Sequence, residues 1–258
     1  MKKIKKLLGI LAFISIIGVI IIACGDDEGL NNENKTLCTH NWRWEINESS
    51  ISKKVCILCN EKINGKIGDT GPAGGIIFYV ADGSGGRSYG FNFFNDAADT
   101  IGKTAYYLEV SLKNAKMEDF GSYTTNNVPK MRWSIDETHG FYPVVSSVAN
   151  AIEIGTGKRN TALIISVEEE VRSYGNYYVY AALFCDRYGN GTLYNDWFLP
   201  SNDELDELLR NLPFITTQVW SSSQVDSNTA RAVSFVSAGY SHPHNKNQSL
   251  LVLPIRAF

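Results

Sequence analysis

The amino-acid sequence predicts an α+β fold, in which a mostly antiparallel sheet is built from both ends of the main domain and a group of helices occupies its centre. Two observations give this prediction. Runs of β-branched and aromatic residues, bounded by turn residues, lie in the first part of the domain and again beyond residue 218. Between these runs the apolar residues recur at helical spacing.

Each predicted strand has a compositional basis. The runs GIIFYV at residues 75–80 and AYYLEV at residues 105–110 are rich in β-branched and aromatic side chains. Towards the end of the chain, VWSSS at 219–223, an alternating segment at 230–236 and a last stretch at 250–257 are the further strand candidates. Their positions on both sides of the helical centre predict the antiparallel sheet.

Four helices are predicted between the two groups of strands. Apolar spacing predicts helices over 144–154, 160–169 and 177–188, the first of which ends at Gly155. Cys185 lies in the apolar run of the third helix, which predicts a buried, small apolar side chain.

The fourth helix has the clearest start. Ser201 supplies an N-cap oxygen, and Glu204 three residues later completes a capping box. Leucines at helical spacing then form its core face. Just before it, Asp196 and Trp197 are expected to be structural, with the Asp196 carboxylate bonded to backbone and Trp197 packed in the core.

Residues 1–23 have the plan of a bacterial lipoprotein signal peptide. Four lysines precede an uncharged apolar run at residues 7–23, which is the arrangement of a secretory signal. The segment IIACG at residues 21–25 resembles the lipobox, which implies that lipid is attached to Cys24 and that the chain is cut before it. Because the apolar run is nearly long enough to span a bilayer, an uncleaved anchor is the alternative.

The chain that remains after such a cleavage is acidic. Removal of residues 1–23 takes away four lysines and no acids, which leaves 20 basic and 27 acidic side chains and a formal charge of −7. This charge argues against nucleic acid as a partner. Residues 24–36 are acidic and rich in amides with a single large apolar residue, so they predict a flexible tether.

Residues 37–64 contain a small set of cysteine and histidine residues. Cys38 and His40 form one pair and Cys56 and Cys59 form another, so together they offer four ligands for a tetrahedral zinc ion. Four protein ligands leave no open position for a substrate, so such a zinc ion would be structural. A disulfide between Cys38 and either Cys56 or Cys59 is the alternative in an oxidising compartment, and free thiols are a third. His40 favours zinc, because a disulfide gives it no role.

Six segments between residues 65 and 258 follow one another in a specific order. They are GDTGPAGGIIFY at 68–79, IGTGKRNT at 154–161, AALFCD at 181–186, DWFLPSNDEL at 196–205, VWSSS at 219–223 and LPIRAF at 253–258. Together they resemble the Lcl C-terminal domain family. The resemblance implies an exported protein or lipoprotein, since most members are bacterial proteins of these kinds, and the family takes its name from a collagen-like surface adhesin.

The resemblance transfers no catalytic residue, because the family has no agreed catalytic motif. The last strands also resemble, more weakly, those of the C-type-lectin and formylglycine-generating folds. One departure lies at residues 253–256, where Leu-Pro-Ile-Arg stands in place of the arginine-proline-valine-arginine string that often ends family members.

The end of the chain is mildly basic and contains a polar segment that could bind a ligand. Residues 213–258 hold three basic side chains and one acidic side chain. Loops that join strands are common binding sites, and here they would offer Tyr240, His242, His244, Asn245 and Lys246 to a polar ligand such as a glycan. A solvated hairpin without a ligand is the alternative.

These features predict a protein of the cell envelope, anchored by lipid outside the cytoplasmic membrane on the cell surface or the periplasmic face. We expect its main domain to be a non-catalytic binding or adhesion domain for a glycan or a matrix component. The alternative is an architectural envelope protein that supports partner proteins. An enzyme is disfavoured, because the resemblance transfers no catalytic motif and Cys185 is the only cysteine of the main domain.

Overall fold

Helices and mostly antiparallel sheets make up the computed structural model of the chain, so the predicted α+β class is confirmed. The structure describes residues 39–47, 50–96, 98–111, 124–125, 128–134, 151–172, 179–189, 192–212, 218–234 and 240–258. The predicted signal peptide and tether lie outside these residues, as do Cys24 and Cys38. Within the described residues, no helix is both long enough and apolar enough to cross a membrane.

Strands lie on both sides of the helices along the chain. The strands before them are β1 (Trp42–Glu45), β2 (Lys53–Cys56), β3 (Lys62–Asn64), β4 (Ile76–Val80), β5 (Phe91–Phe93), β6 (Lys103–Ala105), β7 (Tyr107–Val110), β8 (Thr124–Thr125) and β9 (Val128–Met131). The helices are α1 (Gly157–Arg172), α2 (Ala181–Arg187) and α3 (Asn202–Asn211). The strands after them are β10 (Gln218–Gln224), β11 (Thr229–Ser234), β12 (Tyr240–Asn245), β13 (Leu250–Leu251) and β14 (Ile255–Ala257).

The described strands form four sheets. Their orders are β1-β2-β3, β14-β7-β4, β5-β6 and β12-β11-β10-β13-β9-β8. Neighbouring strands are antiparallel, except that β10 and β13 are parallel. Because β14 pairs with β7, the end of the chain joins a sheet begun by early strands, as the sequence predicts.

The apolar faces of these elements pack into two main cores. The first lies where α3 covers the early strands and β14, and it includes Phe78, Leu108, Leu205, Leu208 and Ile255. The second lies between α1, α2 and the six-stranded sheet, and it includes Trp133, Ile164, Leu183, Phe184 and Trp220. Burial of these side chains is the main favourable term in folding.

Three of the predicted helices are present, two of them with shifted ends. Residues 160–169 lie within α1, and α2 occupies only part of the predicted 177–188 segment. Cys185 is fully buried in α2 as predicted, and this burial raises the pKa of its thiol. In α3, the side chain of Ser201 accepts from the Glu204 N–H and the Glu204 side chain accepts from the Ser201 N–H, so the capping box is confirmed.

The helix predicted over 144–154 is wrong at residues 151–154, which are not helical, while residues 144–150 lie outside the described part. The carbonyl of Ala151 accepts hydrogen bonds from the Asn160 and Ser223 side chains. The carbonyl of Ile152 accepts from the Asp203 N–H. Because these carbonyl groups bond to other elements, the segment is a connector, and its apolar spacing does not indicate a helix.

A buried ion pair joins β14 to β7. Arg256 lies directly across from Glu109, and its Nη1 donates to Glu109 Oε1 at 3.0 Å. Burial raises the pKa of Glu109, and the charge of Arg256 and its hydrogen bond oppose that effect. The N–H groups of Ala73 and Gly75 also donate to this carboxylate, at 3.3 and 3.1 Å.

Arg256 also forms a hydrogen bond with the Asp196 side chain. Its Nε donates to the Asp196 carboxylate, so the prediction that Asp196 bonds to backbone is wrong. The prediction for Trp197 is confirmed, since this side chain is buried. The error arose because Arg256 lies 60 residues along the chain from Asp196.

Candidate metal centre

The turn between Cys56 and Cys59 is fixed by backbone hydrogen bonds. Cys56 ends β2, and its carbonyl accepts from the Asn60 N–H at 2.9 Å. Asn60 has a φ of 58°, in the left-handed region that asparagine tolerates better than most residues. The Ile57 N–H donates to the Asn41 carbonyl at 2.9 Å. These bonds form a compact turn and attach it to the residue that follows His40.

Three predicted ligands meet at this turn. The ligand atoms of His40, Cys56 and Cys59 all lie within 4.8 Å of one another, and His40 Nδ1 is 3.5 Å from Cys59 Sγ. A tetrahedral zinc with bonds of about 2.3 Å to sulfur and about 2.0 Å to nitrogen holds such atoms roughly 3.5 Å apart. The cluster therefore has the residue types and the spacing of a metal site.

The surroundings of the Cys56 thiol favour its anionic form, the thiolate. Burial alone would raise its pKa, but hydrogen bonds from the Leu58, Cys59 and Asn41 backbone and from the His40 side chain outweigh burial and lower the pKa to about 6. The Leu58 N–H lies 3.4 Å from the sulfur. Metals bind the thiolate form of cysteine, so these donors favour the state that a metal requires.

The imidazole ring of His40 has fixed neighbours. It stacks on the Trp42 ring, with the ring centres 4.8 Å apart and the planes at 18°. Its Nε2 lies 3.3 Å from Glu61 Oε2. The sequence reasoning missed Glu61 and Trp42 as part of the site, although both lie within four residues of a predicted ligand.

Of the four predicted ligands, the structure brings together three. Cys38 lies outside the described residues, so its place in the site stays a prediction. Cys56 and Cys59 are free thiols in the described part of the chain.

The cysteine and histidine segment packs against the main domain. The Trp44 ring contacts Tyr107 and Phe258 edge-on, with ring centres 5.5 and 5.2 Å apart, and its Nε1 donates to the Thr70 carbonyl at 2.9 Å. Tyr107 Oη in turn accepts from the Gly65 N–H at 3.1 Å. These contacts cross the predicted boundary at residue 65, so the segment shares its core with the main domain.

The second predicted site, near the end of the chain, differs from the expected loop. Tyr240 begins β12, His242 and His244 lie along it, and Asn245 ends it. β12 is the edge strand of the six-stranded sheet. The His242 side chain is exposed, whereas His244 is half-buried, with Nδ1 3.0 Å from Gln248 Oε1.

Lys246 does not lie on an exposed surface, contrary to the expectation for this segment. It is fully buried, and its Nζ donates to Gln224 Oε1 at 2.8 Å and to the Ser227 carbonyl at 3.1 Å. The Nζ also lies 4.6 Å from the centre of the Trp133 ring. Burial lowers the pKa of Lys246 to about 8. Lys246 therefore joins two turns and the sheet, which is a structural role.

The fold and the site together define an α+β domain to which a cysteine and histidine cluster is attached. No protein-family model matches the chain, and no curated protein matches it significantly. The resemblance to the Lcl C-terminal domain family therefore stays a prediction.

Proposed function

We propose that this chain is a lipid-anchored protein of the cell envelope, in which one structural zinc ion fixes the segment after the tether against a non-catalytic binding domain. Cys38 would complete a ligand set with His40, Cys56 and Cys59. The observation that carries the proposal is that three of these ligand atoms lie within 4.8 Å of one another. Lipidation of Cys24, supported by the signal-peptide pattern, would hold the domain at the membrane, where it would bind a glycan or a matrix component.

A structural zinc ion fits the size of this segment. Among the described residues of the segment 39–64, only Trp44 and Ile51 belong to the core that is shared with the main domain, so the segment has little apolar core of its own. Small segments of this kind need a metal, disulfides or a partner to be stable. Through its contacts, Trp44 would then hold the zinc-bound segment against the surface of the main domain.

Loss of one thiolate ligand is expected to abolish tight zinc binding. Native mass spectrometry and zinc analysis of the mature chain, purified without chelator, should give one zinc ion per wild-type chain and none in Cys56→Ser or Cys59→Ser. Without zinc, residues 39–64 should become sensitive to protease, because metal binding is coupled to folding of such sites. Cys185→Ala is the matched control and should keep its zinc, since Cys185 is buried in α2. A wild-type chain without zinc would contradict the proposed site.

The anchor and the binding activity need separate measurements. Intact mass of the chain from membranes should show cleavage before Cys24 and the mass of attached acyl chains, and Cys24→Ala should prevent both. A glycan array and a panel of matrix proteins then test binding. If both stayed blank while crosslinking in cells recovered one fixed neighbour, the architectural function would replace the binding function.

A further inference from the structure

The two ring nitrogens of His40 have different neighbours. Nδ1 lies 3.5 Å from Cys59 Sγ, on the side of the thiols. Nε2 lies 3.3 Å from Glu61 Oε2, on the opposite side of the ring. We infer that His40 binds the metal through Nδ1 and that Glu61 is the positioning residue that holds the ring in this orientation. The inference rests on the metal site of the proposed function and adds the ligand atom and its support.

The donors and acceptors of the His40 imidazole and the Glu61 carboxylate support this assignment. A neutral imidazole has one N–H donor and one nitrogen lone pair, whereas an ionised carboxylate only accepts hydrogen bonds. The nitrogen that faces Glu61 must therefore carry the proton for the contact to be favourable. Metal binding replaces the hydrogen bond between His40 and Cys56. With the proton on Nε2, the lone pair lies on Nδ1 and is directed to the side of the Cys56 and Cys59 thiols, where a metal ion binds. Carboxylate or carbonyl partners of this kind commonly set the tautomer of histidine ligands.

Glu61 is itself held relative to the cysteines. Its carbonyl accepts from the Cys56 N–H at 2.9 Å, so its backbone is fixed to the residue that supplies one of the thiolates. Trp42 packs on the face of the His40 ring and pairs with Cys56 across β1 and β2. Glu61 therefore limits rotation of the ring in its own plane, and Trp42 limits tilting out of that plane.

Glu61 does not belong to the ligand set. The group whose ligand atoms converge contains His40, Cys56 and Cys59, and Glu61 lies beyond the imidazole. Its role is to restrict the His40 ring before the metal binds. Less conformational freedom is then lost on binding. Removal of such a partner typically weakens metal binding by about 10- to 100-fold.

Glu45 offers a matched control for the test. Its side chain is 54% exposed and that of Glu61 is 53% exposed. Glu45 ends β1, and Glu61 directly precedes β3 of the same small sheet. Glu45 forms an ion pair with Lys62 at 2.9 Å and does not contact the histidine. Substitution of either residue removes one surface carboxylate and its contact with one side-chain nitrogen, but only Glu61→Ala removes the partner of His40.

The experiment is chelator competition for zinc on the mature chain in mild detergent, for wild type, Glu61→Ala, Glu61→Gln and Glu45→Ala. We expect zinc affinity about 10- to 100-fold lower in Glu61→Ala, a smaller loss in Glu61→Gln, whose amide oxygen still accepts, and no change in Glu45→Ala. Nitrogen-15 spectra of labelled histidine in the wild type should show metal at Nδ1 and a proton at Nε2 of His40.

Three results would overturn the inference. Equal affinities of Glu61→Ala and Glu45→Ala would show that Glu61 does not position the ligand. Metal at Nε2 would show that the ring binds in the opposite orientation. A wild-type chain that binds no zinc would overturn the proposed site as well, so the failure of the site and the failure of the orientation are distinguishable.

Discussion

Replacement of Arg256 by methionine is expected to lower the free energy of unfolding by about 3–5 kcal/mol. The reason is that the Glu109 carboxylate is fully buried and would lose its only described cationic partner. Methionine fills much of the space of the arginine stem, so the main cost is the unpaired charge. Urea denaturation of wild type and variant at neutral pH measures the difference.

A surface ion pair provides the control for this prediction. Arg210 contacts Glu207 at 2.9 Å and is 71% exposed, so Arg210→Met should cost less than about 1 kcal/mol. The double variant Glu109→Gln with Arg256→Met should be more stable than Arg256→Met alone, because the neutral amide leaves no unpaired buried charge, and its single oxygen can still accept from one of the two N–H groups of Ala73 and Gly75. Equal losses for Arg256→Met and Arg210→Met would contradict the dominant role of the buried pair.

Two buried carboxylates explain why glycine occurs at particular positions in two of the segments that carry the family resemblance. A Cβ atom at Gly71 would lie 2.3 Å from Glu109 Oε2, so the glycine-rich segment before β4 is shaped to close over this carboxylate. In the same way, a Cβ at Gly157 would lie 2.3 Å from Glu204 Oε2. Glycine is needed at both positions because backbone must approach a carboxylate closely. These contacts give the segments a structural role.

Local signals were the ones that the sequence could predict. The capping box of Ser201 and Glu204 spans four residues, and the turn between Cys56 and Cys59 is equally short, so residue types and spacing suffice to identify both. The Arg256 and Glu109 pair could not be predicted, because 147 residues separate its members. Only the pairing of β14 with β7 brings them together.

Lys246 and Glu61 show why polar residues mislead sequence reasoning. Lys246 lies between two asparagines, a context typical of an exposed turn. Trp133 and Gln224, which are distant in the sequence, nevertheless contact its ammonium group. Glu61 is one of many charged residues in and beside a small sheet, and only the direction of the His40 ring distinguishes it. Burial and orientation are tertiary properties, so neither follows from the local pattern.

The stability of the protein is expected to fall as the pH rises from about 4.5 to about 7, through the titration of Glu204. This carboxylate is fully buried in the capping box. Burial raises its pKa from 4.5 to about 7, although hydrogen bonds from the Ser201 and Gly155 N–H groups partly oppose the shift. The folded state therefore holds a proton that the unfolded state releases over this range.

The sign follows from the raised pKa. Below about pH 4.5 both states hold the proton, and the contribution to stability is complete. As the pH rises, the unfolded state loses its proton first, so unfolding becomes more favourable until the folded state also ionises near pH 7. A pKa shift from 4.5 to about 7 corresponds to roughly 3 kcal/mol of stability lost across this range.

Glu204→Gln isolates this effect from the other titrating groups. The amide cannot titrate, so the stability advantage of the wild type over this variant should shrink by roughly 3 kcal/mol between about pH 4 and about pH 8.

Asp99→Asn is the control: hydrogen bonds from the Asn95 and Gly102 N–H groups lower the pKa of Asp99, so its titration ends below this range. Its difference from wild type should stay constant from about pH 5 to about pH 8. Parallel curves for wild type and Glu204→Gln would contradict the raised pKa, because they would show that the N–H donors around the carboxylate offset the effect of its burial.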